Sequence, residues 1–136
     1  MVVVERAISI LNQRAGRGLR IQDGKAVAYA FFEGGTQMVG GTTVVALEQW
    51  THVAAVFDET NRQMKLFVNG VLEGDAPLQR GSMAANLQLV IGRHTLDAAG
   101  FFRGKIDEVR ISNVARGIRH VNVECAPWGA VKAFWR

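Results

Sequence analysis

Asp107 and Glu108 stand side by side in the stretch FFRGKIDEVRIS. Adjacent carboxylates suit a general acid with its base, or two oxygen ligands for a hard cation. Strand geometry decides what they can do together. Along an extended strand, neighbouring side chains point to opposite faces. Ile106, Glu108 and Arg110 then share one face, and Asp107, Val109 and Ile111 share the other. Retaining glycosidases hold two carboxyl groups about 5–5.5 Å apart against one sugar, which adjacent strand positions cannot do. The same alternation predicts that Asp107 points inward at the strand's edge. It would there bond backbone N–H groups of a turn, or the ring N–H of Trp50 or a histidine. A structural Ca²⁺ site is the other reading, although no D-x-D-x-D loop accompanies it. Glu108 and Arg110 read as a surface pair of little energetic value.

The remaining polar chemistry is sparse. His94 and Asp97 lie in the loop GRHTLDAAG, and loops on rigid sheets carry function, so both are candidate ligand contacts. Trp128 follows Pro127 in a loop-like stretch and is the best candidate for an exposed aromatic platform. Phe101 and Phe102 flank a turn, and one of them is expected to face outward. Phe57 and Phe67 sit in strands and read as core. His52, in WTHVA, shares a face with Trp50, Ala54 and Val56 and reads as a hydrogen-bonded structural residue. His120 has no visible partner. Ser9, Ser82 and Ser112 lack a G-x-S-x-G context, and Gly16, Gly18 and Gly24 miss the dinucleotide pattern because position 21 is Ile. Cys125, beside Ala-Pro-Trp, reads as buried rather than nucleophilic. No catalytic residue and no cofactor are expected, with calcium the one alternative.

Short strands must position these residues. Val, Ile, Phe and Thr fill short runs, and Gly, Asn and Asp fill the gaps. Residues 2–11 form a candidate first strand, and 18–32 read as a hairpin turning at Asp23-Gly24. EGGTQMVGG reads as a loop and 42–47 as a strand. Strands at 50–57 and 63–69 flank the polar turn DETNR, and Asn69-Gly70 is the strongest hairpin signal in the chain. Residues 86–92 and 101–112 close the series. SMAAN (82–86) and ISNVARGIRH (111–120) have room for a helical turn or two. At least eight short strands imply an all-β fold, a two-sheet antiparallel β-sandwich or jelly roll.

Composition agrees. The chain has 136 residues, which favours one domain spanning 1–136. Hydrophobic residues make up 49% and charged ones 21%, which argues against disorder. The net charge of +4 comes from scattered Lys and Arg, so nucleic acid is not an expected partner. No apolar run is long enough for a membrane helix. A single cysteine precludes an internal disulfide. MVVVERAISI does not read as a signal peptide, and the compartment is undetermined.

WTHVAAVFDETNRQMKLFVNGVLEG and LVIGRHTLDAAGFFRGKIDEVRIS are specific in combination. The span from Trp50 to Arg116 resembles the laminin-G-like jelly rolls of the concanavalin A-like lectin/glucanase superfamily. The first segment is similar to the family's W-x-H-V-A-x-x-[FY]-D hairpin with its V-N-G strand, and the second to its I-G-R…F-x-G-x-I-D-E-V-R-I ending. Related glucanases carry acids at alternate positions, of the E-x-D-x-x-E type; here Ile106 and Arg110 depart from that pattern. The resemblance implies a non-catalytic module that binds carbohydrate or a protein surface through rim loops or the concave sheet face, and an extracellular setting. It also implies that some relatives bind calcium. Two departures stand out. VVVERAISI matches the family's N-terminal strand poorly, so the sandwich is either complete or shortened at that edge. Residues 121–136 extend beyond the family's usual end and are expected to add a strand. A vacant edge would be filled by this tail or by a second chain. The rival reading is therefore a structural domain that pairs in a homodimer and takes no small ligand.

Overall fold

The computed structural model describes the backbone of residues 2–10, 13–32, 34–79, 88–94, 100–111 and 131–135, with side chains described between residues 16 and 111. Asp97, His120, Cys125, Trp128, the helical turn expected at 82–86 and, past its first residue Ile111, the one expected at 111–120 lie outside the described residues. The strands are β1 (Val2–Ile10), β2 (Gln13–Gln22), β3 (Lys25–Phe32), β4 (Gly35–Val44), β5 (Trp50–Asp58), β6 (Gln63–Val68), β7 (Val71–Pro77), β8 (Leu89–Ile91), β9 (Gly104–Asp107) and β10 (Val131–Trp135). They form two five-stranded antiparallel sheets, ordered β4-β3-β2-β1-β8 and β7-β6-β5-β10-β9. The fold is an all-β sandwich of jelly-roll type.

Turn chemistry sets the hairpins. Asp23 and Gly24 both take positive φ (50° and 73°), as do Asn69 and Gly70 (49° and 80°). Two successive positive angles give the twist that closes a tight hairpin, and Asn, Asp and Gly tolerate them best. Between β5 and β6, the Asp58 carboxylate accepts the backbone N–H of Asn61 at 2.9 Å and its side-chain amide at 2.8 Å.

The core lies between the sheets. Leu19 and Ile21 of β2, Ala26, Ala28 and Ala30 of β3, and Val39 of β4 pack with Val53, Met64, Leu66 and Val68 of the second sheet. Each contributes alternate residues, as a strand buried on one face must. Phe57 packs against this cluster, but Phe67 does not, contrary to its expected place in the core. The buried residues of β6 are Met64, Leu66 and Val68, so alternation turns Phe67 to the opposite face.

Two boundaries differ from expectation. The stretch read as a loop, EGGTQMVGG, is strand from Gly35, and β4 ends at Val44 rather than at residue 47. Tertiary contact overrides the glycine-rich composition here. Val39 is a core residue, and β7 lies so close that a Cβ on Gly74 would stand 2.5 Å from Val39 Cγ1. The last segment, read as strand over 101–112, is regular only from Gly104 to Asp107. β1 is flanked by β2 and β8, and β10 by β5 and β9, so both terminal strands are interior to their sheets. The edges are β4 and β8 of one sheet and β7 and β9 of the other.

Candidate functional site

The chain crosses between the sheets at one side of the sandwich, from β8 to β9. The backbone N–H of Phe102 donates to Gly92 O at 2.8 Å and closes the neck of this loop. Arg93 reaches back to the carbonyl oxygen of His94 at 3.0 Å. The half-buried His94 ring lies on Gly100, where an added Cβ would stand 2.4 Å from His94 Cδ2. Gly100 also has φ of 63°, so both space and backbone angle call for glycine there. Phe102 turns inward and packs on the core, while Phe101 is 53% exposed. One outward phenylalanine was expected at this turn, and it is Phe101. Of the candidate contacts His94, Asp97 and Trp128, only His94 is among the described residues, and it is braced against the loop backbone. Exposed Phe101 offers a flat apolar surface, and exposed Arg93 and Arg103 flank it in the same loop as donors.

The paired acids are placed differently from expectation. Asp107 is exposed rather than turned inward, and its Oδ1 accepts the N–H of Glu108 at 2.8 Å. The strand stops there because Glu108 takes φ of 52°, which breaks the pleat on which the alternation argument rested. Val109, not Asp107, packs against the core. Among the described residues, no three of His, Cys, Asp and Glu gather as metal ligands.

A second surface lies on the face of β2, β3 and β4 that points away from the core. Tyr29 is buried with its ring across Gly18. The Arg20 guanidinium stands 5.2 Å from the ring centroid, and its Nη2 contacts Met38 Sδ at 2.9 Å. Phe31 meets Tyr29 edge-on, with centroids 5.6 Å apart. Beside this cluster is an open depression of about 450 Å³ bounded by Gln22, Lys25, Val27, Met38 and Gly40. An added Cβ on Gly40 would meet nothing within 4 Å. Alternation along β3 sets Val27, Tyr29 and Phe31 on one face, but no periodicity shows their contacts with β2, and reading EGGTQMVGG as a loop left out the third strand of the surface.

Two charged groups tie the sheets to each other. Arg17 of β2 lies with its guanidinium 5.2 Å from the centroid of Phe57 on the opposite sheet, and pairs with Glu59. Burial lowers the Arg17 pKa from its ordinary value. On the other side Glu73 accepts hydrogen bonds from the backbone N–H groups of Thr42 (2.8 Å) and Thr43 (2.9 Å), and from the Thr43 hydroxyl. Partial burial works to raise the Glu73 pKa, but these hydrogen bonds outweigh it and hold the carboxyl below its usual value. His52 plays a local part: its N–H donates to Asn69 Oδ1 at 3.0 Å, and its carbonyl accepts the Asn69 N–H at 2.8 Å.

No curated protein and no solved structure matches this chain. A family model of the concanavalin A-like lectin/glucanases superfamily, of laminin-G type, matches residues 3–122. The match includes all but the first residue of β1, the segment that the sequence motifs had matched poorly. Two packed antiparallel sheets, inward-turned core residues on alternate strand positions and a match over most of the chain agree: this protein belongs to the laminin-G-like members of the concanavalin A-like lectin/glucanase superfamily.

Proposed function

We propose that the chain is a non-catalytic binding module that takes a carbohydrate at the rim loop between β8 and β9. In this reading Phe101 supplies the platform for a sugar's apolar face, Arg93 and Arg103 supply donors, and His94, Asp97 and Trp128 are the candidate contacts. The observation that carries it is the exposed Phe101 ring at the neck of a loop that is closed by Phe102 N–H···O Gly92 and braced by His94 on Gly100. A ring held at a closed neck binds without first being ordered there. Exposed Asp107, bonded to the peptide N–H beside it, gives no support for an acid pair acting on one substrate.

A glycan-array screen of the wild type and Phe101→Ala tests this. Binding by the wild type that falls at least about ten-fold in the variant, with an unchanged Tm, is expected from the loss of one stacking platform. No glycan binding, together with a dimer that persists on dilution in sedimentation, overturns the carbohydrate reading in favour of a self-associating structural domain. Turnover of a glucan that vanishes on substitution of a single carboxylate overturns the non-catalytic reading.

A further inference from the structure

The two edges β4 and β7 face each other across the open side of the sandwich, and both are irregular at the same place. In the β6–β7 ladder, Leu66 pairs with Gly74 and Phe67 with Leu72, so Glu73 has no partner. In the β3–β4 ladder, Lys25 pairs with Val44 and Val27 with Gly40, so Gly41, Thr42 and Thr43 together oppose Ala26. A bulge on an edge strand re-aims the extra side chain and frees backbone groups from the ladder. Here each irregularity answers the other. The released Glu73 carboxylate meets the released N–H groups of Thr42 and Thr43, and the Thr43 hydroxyl completes the set.

The glycines show that this contact is close by construction. A Cβ on Gly41 would stand 2.7 Å from Glu73 Oε2, and one on Gly74 would stand 2.9 Å from the Gly40 carbonyl oxygen. Gly40 and Gly41 also border the open depression beside Met38. The clasp therefore holds one wall of that surface.

We propose that Glu73 is an acid-released clasp: protonating this one carboxyl frees the Thr42–Thr43 stretch of β4 from β7, while Gln37, bonded to the Pro77 carbonyl and the Gln79 N–H, keeps the other end of β4 joined and the rest of the sandwich stays folded. Two of its donors are peptide N–H groups, which bond a carboxylate more strongly than a neutral carboxylic acid. The other titratable groups nearby are few. β4 carries none. β6 contributes Lys65, which lies opposite Asp75 of β7. β3 contributes Lys25, opposite Val44, and Tyr29, on the face away from the core. The release is thus a property of Glu73 and its two threonines. Once freed, the Thr42 and Thr43 N–H groups stand on an open edge beside a depression that has lost a fixed wall.

Amide hydrogen exchange followed by NMR in the intact chain tests the proposal. The Thr42 and Thr43 amides are expected to lose protection on acidification before those of Ala28 and Leu66 in the core. In Glu73→Gln, a neutral isostere, they are expected to exchange about ten-fold faster at neutral pH, with the core amides unchanged. Thr43→Val keeps the carboxyl and both N–H groups but removes the hydroxyl, so release is expected at a higher pH. Equal protection of Thr42 and Thr43 in Glu73→Gln and the wild type overturns the clasp. So does loss of protection only together with the core, or a release pH that Thr43→Val leaves in place.

Discussion

Asp107 shows how one backbone angle reassigns a side chain. Extended backbone through residue 108 would have turned Asp107 to the core and made it costly to remove. Glu108 instead takes a left-handed φ of 52°, and the Asp107 carboxylate caps the N–H beside it from an exposed position. An exposed carboxylate replaced by alanine leaves no buried group unpaired. Asp107→Ala is therefore expected to change stability by no more than about 0.5 kcal/mol in urea unfolding. A loss of about 2 kcal/mol or more would restore the inward-facing reading that strand alternation suggested. The inward place expected of Asp107 rested on a pleat that does not continue past it. Pleat alternation was the argument; the strand instead ends between the two acids and leaves Asp107 exposed.

At the scale of elements, the approach of β4 to β7 depends on glycine at particular positions. Gly74 faces Val39 and the Gly40 carbonyl, and an added methyl group there meets backbone as well as side chain. Gly40, one strand away, opens onto the empty depression. Gly74→Ala is expected to cost about 1–3 kcal/mol by forcing the sheet edges apart. Gly40→Ala is expected to stay within about 0.5 kcal/mol of the wild type. Chemical denaturation of the two variants side by side checks this, and equal losses would show that the close approach of Gly74 to Val39 and Gly40 is not what sets its cost. The contrast also explains what could be read beforehand. Asp23-Gly24 and Asn69-Gly70 were legible because a two-residue turn writes its φ angles locally, and both pairs take them. β4 was not legible because its glycines look the same in sequence as glycines of a loop, and only Gly41 among them answers to β7, at Glu73. Of the proposed rim site, only the joint between strands was legible. GRHTLDAAG was recognisable as a loop that joins strands, whereas the support of His94 by Gly100 is a contact no periodicity encodes.

For the whole molecule, acid and chain end set separate limits on stability. Hydrogen bonds from Asn61 hold the Asp58 pKa below its usual value, and those from Thr43 and Thr42 outweigh burial to do the same at Glu73. Depressed carboxyl pKa values give stability that is fully present above the unfolded values, about 3.9 for Asp and 4.3 for Glu, and is lost as pH falls through the lower folded ones. Tm is therefore expected to hold level as pH is lowered from neutrality to about 5 and to drop below about 4, with a smaller drop in Glu73→Gln. Calorimetry at a series of pH values checks both curves, and identical acid limbs would remove Glu73 from the account. The chain end acts through topology instead. β10 pairs Val131 to Phe134 with β5 on one side, and Lys132 to Trp135 with β9 on the other. β9 stands at the sheet edge and has no other strand partner among the described residues. Deleting residues 131–136 thus removes an interior strand. It strips β9 of its ladder and bares the β5 backbone from Trp50 to Val53, next to buried Thr51 and Val53. Unpaired edges beside apolar surface recruit other chains. The truncated protein is expected to elute from size-exclusion chromatography as aggregate, with weakened β-sheet circular dichroism. A truncated monomer with the native spectrum would mean that β5 and β9 close on each other directly, and that β10 is an insertion the sandwich does not need.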